Sequence, residues 1–200
     1  MSQAADTTDW ADPFRLETAR LSIEPCGAAA ARSVQLIVSD PQVAQPYYLG
    51  QTSALLPVGA LEDWQQSSDG WARHARFNFA VASRSDSQVV GCVQFTTTQL
   101  SYFVAPAFWR QGYGREMVLA CCQQLPQRLG IHALQAIVVR ENMASRRILE
   151  HAGFAFSALA TQPRSDRRGA VMVLHCRREF AAPAWTGAPT QHHPAAPSST

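Results

Sequence analysis

Two stretches of this sequence combine residue types and spacings that could do chemistry. The first is Trp109-Arg110-Gln111-Gly112-Tyr113-Gly114-Arg115-Glu116, between a predicted strand and a predicted helix. Glycine at 112 and 114 lets the backbone turn tightly and removes the Cβ atoms that would keep an anion from main-chain N–H groups. Such groups at a helix N-terminus make a seat for a pyrophosphate, and Arg110 and Arg115 add full charges beside it. An ordinary turn accounts for the same glycines, because a chain with 11 Gly contains a Gly-x-Gly somewhere almost by chance. The dinucleotide fingerprint asks for a small residue where Met117 stands, which disfavours a Rossmann unit. The second stretch runs from Asn142 to Phe154. Asn142 is a good N-cap, Ser145 fits a first turn and Gly153 a helix stop, so helix chemistry alone explains each residue type. It does not explain why this block follows directly on a strand, a Gly-x-Gly turn, a helix and a strand.

Composition narrows the chemistry further. All 17 basic residues are Arg, which excludes a Schiff-base lysine and the lysine of a P-loop. With 15 acidic residues the formal net charge is +2, too small and too scattered for a nucleic-acid partner. The cysteines, Cys26, Cys92, Cys121, Cys122 and Cys176, are odd in number and lack Cys-x-x-Cys spacing, so they read as small buried hydrophobes of a reducing compartment rather than disulfides or a metal site. His192 and His193 sit in a Pro/Ala-rich stretch without the fixed geometry a metal needs. The N-terminus lacks the basic start and apolar run of a secretory signal, and no stretch reaches the roughly twenty apolar residues of a membrane span. The expectation is a cytoplasmic protein without metal, nucleic-acid partner or membrane, a monomer or homodimer.

The elements that must position the two stretches follow from periodicity. Residues 1–13 are expected to be a flexible N-terminus, 14–180 one folded domain, and 181–200 a disordered tail. Strands are predicted at 20–24, 77–82, 89–95, 100–104, 136–139, 154–159 and 171–176, with a turn-rich loop at 83–87 joining the second and third. A mostly helical stretch from 28 to 71 is interrupted at Pro41, Pro46 and Pro57. A helix from about Gly114 carries Val118, Cys122 and Leu125 on its inner face, and Pro126 is expected to end or bend it early. Ala136 to Val139 reads as a strand covered on both faces, and the helix after Asn142 turns Ile148, Leu149 and Ala152 inward. Strand runs with interspersed helices make a mixed α/β sheet.

With these elements in order, the sequence resembles the GNAT superfamily of acyl-CoA-dependent N-acetyltransferases, and within it the RimJ/RimL branch, which acetylates ribosomal-protein N-termini and, in relatives, other amines. Trp109, Gly112, Tyr113, Gly114 and Glu116 match the branch's first motif; Asn142, Ser145, Arg147, Glu150, Gly153 and Phe154 match its second; Glu17 to Leu21 resembles its opening strand. The resemblance implies a mostly antiparallel mixed sheet of about seven strands, splayed between the fourth and fifth with helices on both faces. It implies acetyl-CoA as cosubstrate, bound by Phe103, Val104, Arg110, Gln111, Gly112, Tyr113, Gly114, Arg115, Asn142 and Arg147. A primary amine, on a protein N-terminus or a small molecule, would attack the thioester directly, with a backbone N–H near Val104 stabilising the oxyanion. Ser145 is implied as the acid for the leaving thiolate, with Asn142 beside it.

The sequence also departs from the family. Leu149 occupies the position where many members carry an acidic Tyr, so Ser145 is the matching acid. Ser157 stands where the ribosomal-protein enzymes have a basic Glu, and a serine takes no ammonium proton at neutral pH. His74, Glu62 and His175 are possible substitutes, though His74 and Glu62 read better as solvated surface residues and His175 as a core-edge strand residue, and a water chain would also serve. The acceptor pocket is expected from Tyr47, Tyr48, Trp64, Trp71 and the loop 164–168, residues that also read as core or solvated surface. The absent base motivates a second expectation, a non-catalytic acyl-CoA-binding sensor or interaction module.

Overall fold

The computed structural model describes residues 14–44, 76–96, 98–128, 130–163 and 169–181. Expectations for the terminal segments, for His192 and His193, for Tyr47, Tyr48, Glu62, Trp64, Trp71 and His74, and for the loop 164–168 lie outside them.

The described chain opens with β1 (Leu16–Glu17) and β2 (Leu21–Pro25), then α1 (Ala28–Ser39) and the short α2 (Pro41–Ala44). β3 (Arg76–Ser83), β4 (Val89–Thr96) and β5 (Leu100–Val104) follow, then a 3-10 turn at Pro106–Phe108 and α3 (Tyr113–Arg128). β6 (Ala133–Val139), α4 (Met143–His151), β7 (Ala155–Pro163) and β8 (Ala170–Glu179) complete it. β1 to β5 form an antiparallel sheet in sequence order, and β6, β8 and β7 a second one with β8 in the middle. Alternation places Leu21, Ile23, Phe79, Val81 and Phe95 on one face of the first sheet, where Met117, Val118, Cys121 and Leu125 of α3 cover them. Leu134, Ala136 and Val138 of β6 and Leu149 of α4 extend the same core across the second sheet. The opposite face of the first sheet packs Ala80, Cys92 and Phe103 against Ala31 and Val34 of α1. All five cysteines are free and buried, and burial pushes the Cys26 and Cys176 thiols up to about 11.

The split in the sheet falls between the fourth and fifth predicted strands, which are β5 and β6. They are tied by one parallel bridge, Gln99 with Gln135, where the Gln135 N–H donates to the Thr98 carbonyl at 2.7 Å. Past that point the two sheets share no ladder among the described residues.

Two local expectations change. Pro126 does not end α3: it is buried inside the helix, which runs on to Arg128. So close to the C-terminus, proline forfeits a single intrahelical bond, and the end is closed instead by Ile131 N–H on the Pro126 carbonyl (2.7 Å) around Gly130 at φ +64°. Over 136–139 the cover is unequal: Ala136 and Val138 are buried on one face while Ile137 and Val139 are half-buried on the other, and Gln135, just before that run, is exposed.

Candidate active site

The free edge of β5 is set by register. Ala105 N–H donates to the Val90 carbonyl (2.8 Å) and Thr96 N–H to that of Gln99 (2.9 Å). Antiparallel alternation between these points turns the main chain of Ser101 and Phe103 towards β4, and that of Leu100, Tyr102 and Val104 towards the gap. Phe103, expected among the binding residues, therefore faces away on both counts, since its side chain is also buried against α1. Neighbours in a strand cannot both present their main chain to one edge. The Val104 carbonyl accepts the Trp109 indole Nε1–H at 2.7 Å, so its N–H is the group left for a ligand there.

Beyond Val104 the 3-10 turn delivers the chain to a loop in which Arg110 (φ +61°) and Gly112 (φ +82°) are both left-handed. Such residues interleaved with ordinary ones bend successive N–H groups towards a common centre, a nest suited to an anion, and this one opens into the N-terminus of α3. Among the described residues none of the N–H groups of Gly112, Tyr113 and Gly114 meets an acceptor, and Arg110 and Arg115 stand exposed without a carboxylate partner. The two glycines differ in purpose. Gly112 supplies the left-handed turn, whereas Gly114 is buried, and a Cβ there would lie 3.1 Å from Ile148 Cδ1 and 3.3 Å from Val104 Cγ2. Gly114 lets α3, α4 and β5 approach one another; it does not clear space for an anion.

The loop is held from behind by the β1–β2 turn. Arg20 donates from Nε to Glu116 Oε2 (2.7 Å) with Nη2 2.6 Å from the same oxygen, and from Nη1 to the Gln111 carbonyl (2.9 Å). Its guanidinium lies 4.3 Å from the centre of the Tyr113 ring, which meets Phe108 edge to face. Glu116 Oε1 accepts from Thr18 Oγ1 (2.6 Å) and from Arg20 N–H (3.2 Å). Burial pushes the Glu116 carboxyl up, but these donors outweigh it and hold the group below the usual carboxylate range.

On the other side of the gap, Asn142 caps α4 by accepting the Ser145 N–H on Oδ1 (3.1 Å), which leaves its amide NH₂ as the free function. Ser145 Oγ lies 2.8 Å from the phenol oxygen of Tyr102, which also reaches the Ser145 carbonyl at 3.2 Å. Burial raises the Tyr102 pKa and the bond to Ser145 only partly offsets it, so the phenol is neutral throughout the working pH range. Arg147 is not drawn into this cluster: it follows Ser145 by about 200° of helical turn and stands exposed. Ser157 is exposed on β7 and donates to the His175 carbonyl at 3.4 Å; His175 is half-buried on β8. Sequence reasoning singled out Ser145 and Glu116 but missed Tyr102 and gave Arg20 no role, because their partners lie far away in the chain.

Residues 20–155 match the family model described as an acetyltransferase (GNAT) domain. No curated protein matches the sequence. Among solved structures the chain is similar to a GNAT-family acetyltransferase from Bacillus anthracis (16% identity, 82% of this chain and 98% of that one, TM-score 0.63). It is also similar to ribosomal-protein-S5-alanine acetyltransferase from Vibrio fischeri (14% identity, 86% and 99%, TM-score 0.65). A third is spermidine N-acetyltransferase from Vibrio cholerae, in complex with CoA and spermine (13% identity, 81% and 96%, TM-score 0.66). At these identities the likeness is one of fold.

Proposed function

The chain belongs to the GNAT acetyltransferase family, and from that premise we propose that it transfers the acetyl group of acetyl-CoA to a primary amine, on a protein N-terminus or a small molecule, by direct attack within a ternary complex. One observation carries the reading: the nest at Arg110–Gly112 opens at the mouth of a gap whose β5 edge offers unpaired main chain. The residues fit the cosubstrate. Free N–H groups of Gly112, Tyr113 and Gly114, with Arg110 and Arg115 beside them, suit a diphosphate. The outward main chain of Tyr102 and the NH₂ of Asn142 suit the amides of a pantetheine arm, which would lie along β5 as an added strand. Arg147 is kept as an outer cation for the nucleotide end.

The Val104 N–H is then available to the oxyanion that develops on the attacked carbonyl. Ser145 serves the sulfur. When the Tyr102 phenol gives its single hydrogen to Oγ rather than to the Ser145 carbonyl, the serine hydroxyl hydrogen is free to donate to the departing thiolate. Neither hydroxyl ionises at neutral pH, so their contribution is a hydrogen bond to developing charge; the thiolate draws its proton from solvent and the attacking amine releases its own to solvent through a water chain. Holding two substrates in one cleft supplies much of the remaining acceleration.

The serine at position 157 favours a second reading, an acyl-CoA-binding module without turnover. Thiol release from acetyl-CoA over a panel of amines and peptides, alongside calorimetric binding of coenzyme A, separates the two. Turnover on any acceptor supports the transferase, binding without turnover supports the module, and absence of binding removes both.

A further inference from the structure

We propose that Arg20 is a positioning residue which aims the Gly112 N–H into the diphosphate seat. The proposal deepens the reading above and rests on it. A trans peptide unit is planar, with its carbonyl and its N–H pointing in opposite directions. The unit between Gln111 and Gly112 has its carbonyl bound by Arg20 Nη1 at 2.9 Å, on the side of the β1–β2 turn. Its N–H, which belongs to Gly112, must point the opposite way, to the side where no protein acceptor occurs among the described residues.

This unit needs a holder. Gly112 at φ +82° has no side chain to resist rotation, so the Gln111–Gly112 peptide can turn over at little cost. Turned over, it would offer a carbonyl oxygen to a diphosphate, replacing attraction by repulsion. Arg20 blocks the turn and is itself immobilised, since Glu116 takes Nε and Nη2 and the Tyr113 ring lies against its plane. With those nitrogens engaged and its charge balanced by Glu116, the guanidinium acts on the ligand through the peptide and not as a phosphate ligand in its own right.

The test uses the full chain and two probes, coenzyme A and pantetheine, the second lacking the diphosphate. Wild type is expected to bind coenzyme A far more tightly than pantetheine. Arg20→Met is expected to raise the Kd for coenzyme A roughly ten- to hundredfold while leaving that for pantetheine nearly unchanged. Arg20→Lys, which keeps the charge beside Glu116 but loses the fork, should fall between. Glu116→Gln, which loosens the holder without touching Arg20, should reproduce the same ligand-selective loss to a smaller degree and reads the proposal independently if Arg20→Met does not fold. Equal losses for both probes, or no loss for coenzyme A in any of the variants, overturn the proposal while leaving the function intact. A wild type that binds both probes alike overturns the diphosphate reading itself.

Discussion

Tyr102 and Ser145 meet across the gap at 2.8 Å, and the contact makes separable demands on two hydroxyls. Ser145→Ala is expected to lower kcat by about tenfold to hundredfold with the Kd for coenzyme A unchanged, whereas Tyr102→Phe leaves the serine hydroxyl in place and should lower kcat less, by about tenfold. Steady-state kinetics beside calorimetry check both. Glu116 makes a further demand through pH. Its folded pKa lies below the unfolded value, so the stabilisation it gives the loop is complete above the ordinary carboxylate range and is lost only as pH falls below it. The part of the Kd for coenzyme A that depends on Glu116 should therefore be flat from pH 8 to about 5 and rise below that; an earlier rise in wild type that is absent from Glu116→Gln would contradict the role given to this carboxylate. At this scale the sequence disclosed the groups that act locally, such as Asn142 capping its own helix. It hid those that act at a distance, because Arg20 meets Glu116 and Tyr102 meets Ser145 only after the sheet has formed.

The existence of most strands and helices was legible where one face is buried, since period-two and helical patterns then appear in the residues themselves. β1 was not legible, and β6 begins three residues before the predicted run while β7 and β8 continue past theirs. The order β3, β4, β5, α3, β6, α4 follows from those patterns, whereas the location of the split came from the family resemblance alone. Which edge of β5 is free was not legible: side-chain alternation does not report main-chain direction, so nothing in the residues separates Phe103 from Val104 within the set the resemblance implies. Close approach was equally silent. A Cβ on Gly91 of β4 would fall well inside contact distance of the Phe103 carbonyl oxygen, a backbone atom that can yield only by moving β5. Gly91→Ala is expected to destabilise the protein by about 2 kcal/mol or more and to weaken binding of coenzyme A through the displaced edge, as measured by chemical denaturation and calorimetry. Gly114 forms the matching contact on the helix side, where α3 touches Ile148 of α4.

Among the described residues two half-sheets lie under a shared layer of α3 and α4, with one core running beneath both, and α1 packs on the opposite face of the first. A ligand lying between β5 and β6 supplies the hydrogen bonds that a strand would otherwise make, so saturating coenzyme A should raise the melting temperature. It should also slow amide exchange at Tyr102 and Val104 more than at β3, which is paired on both edges already. Exchange that slows equally in β3 and β5 would argue against occupancy of the gap. The bridge between Gln99 and Gln135 has a longer reach than its size suggests. A wedge pinned at its vertex behaves as a lever: a small displacement there is magnified at the mouth, where Val104 would face the acyl group. Gln135→Pro removes the N–H that reaches Thr98 and no bond to β8, and it should therefore admit longer acyl chains through a change made far from any atom of the substrate.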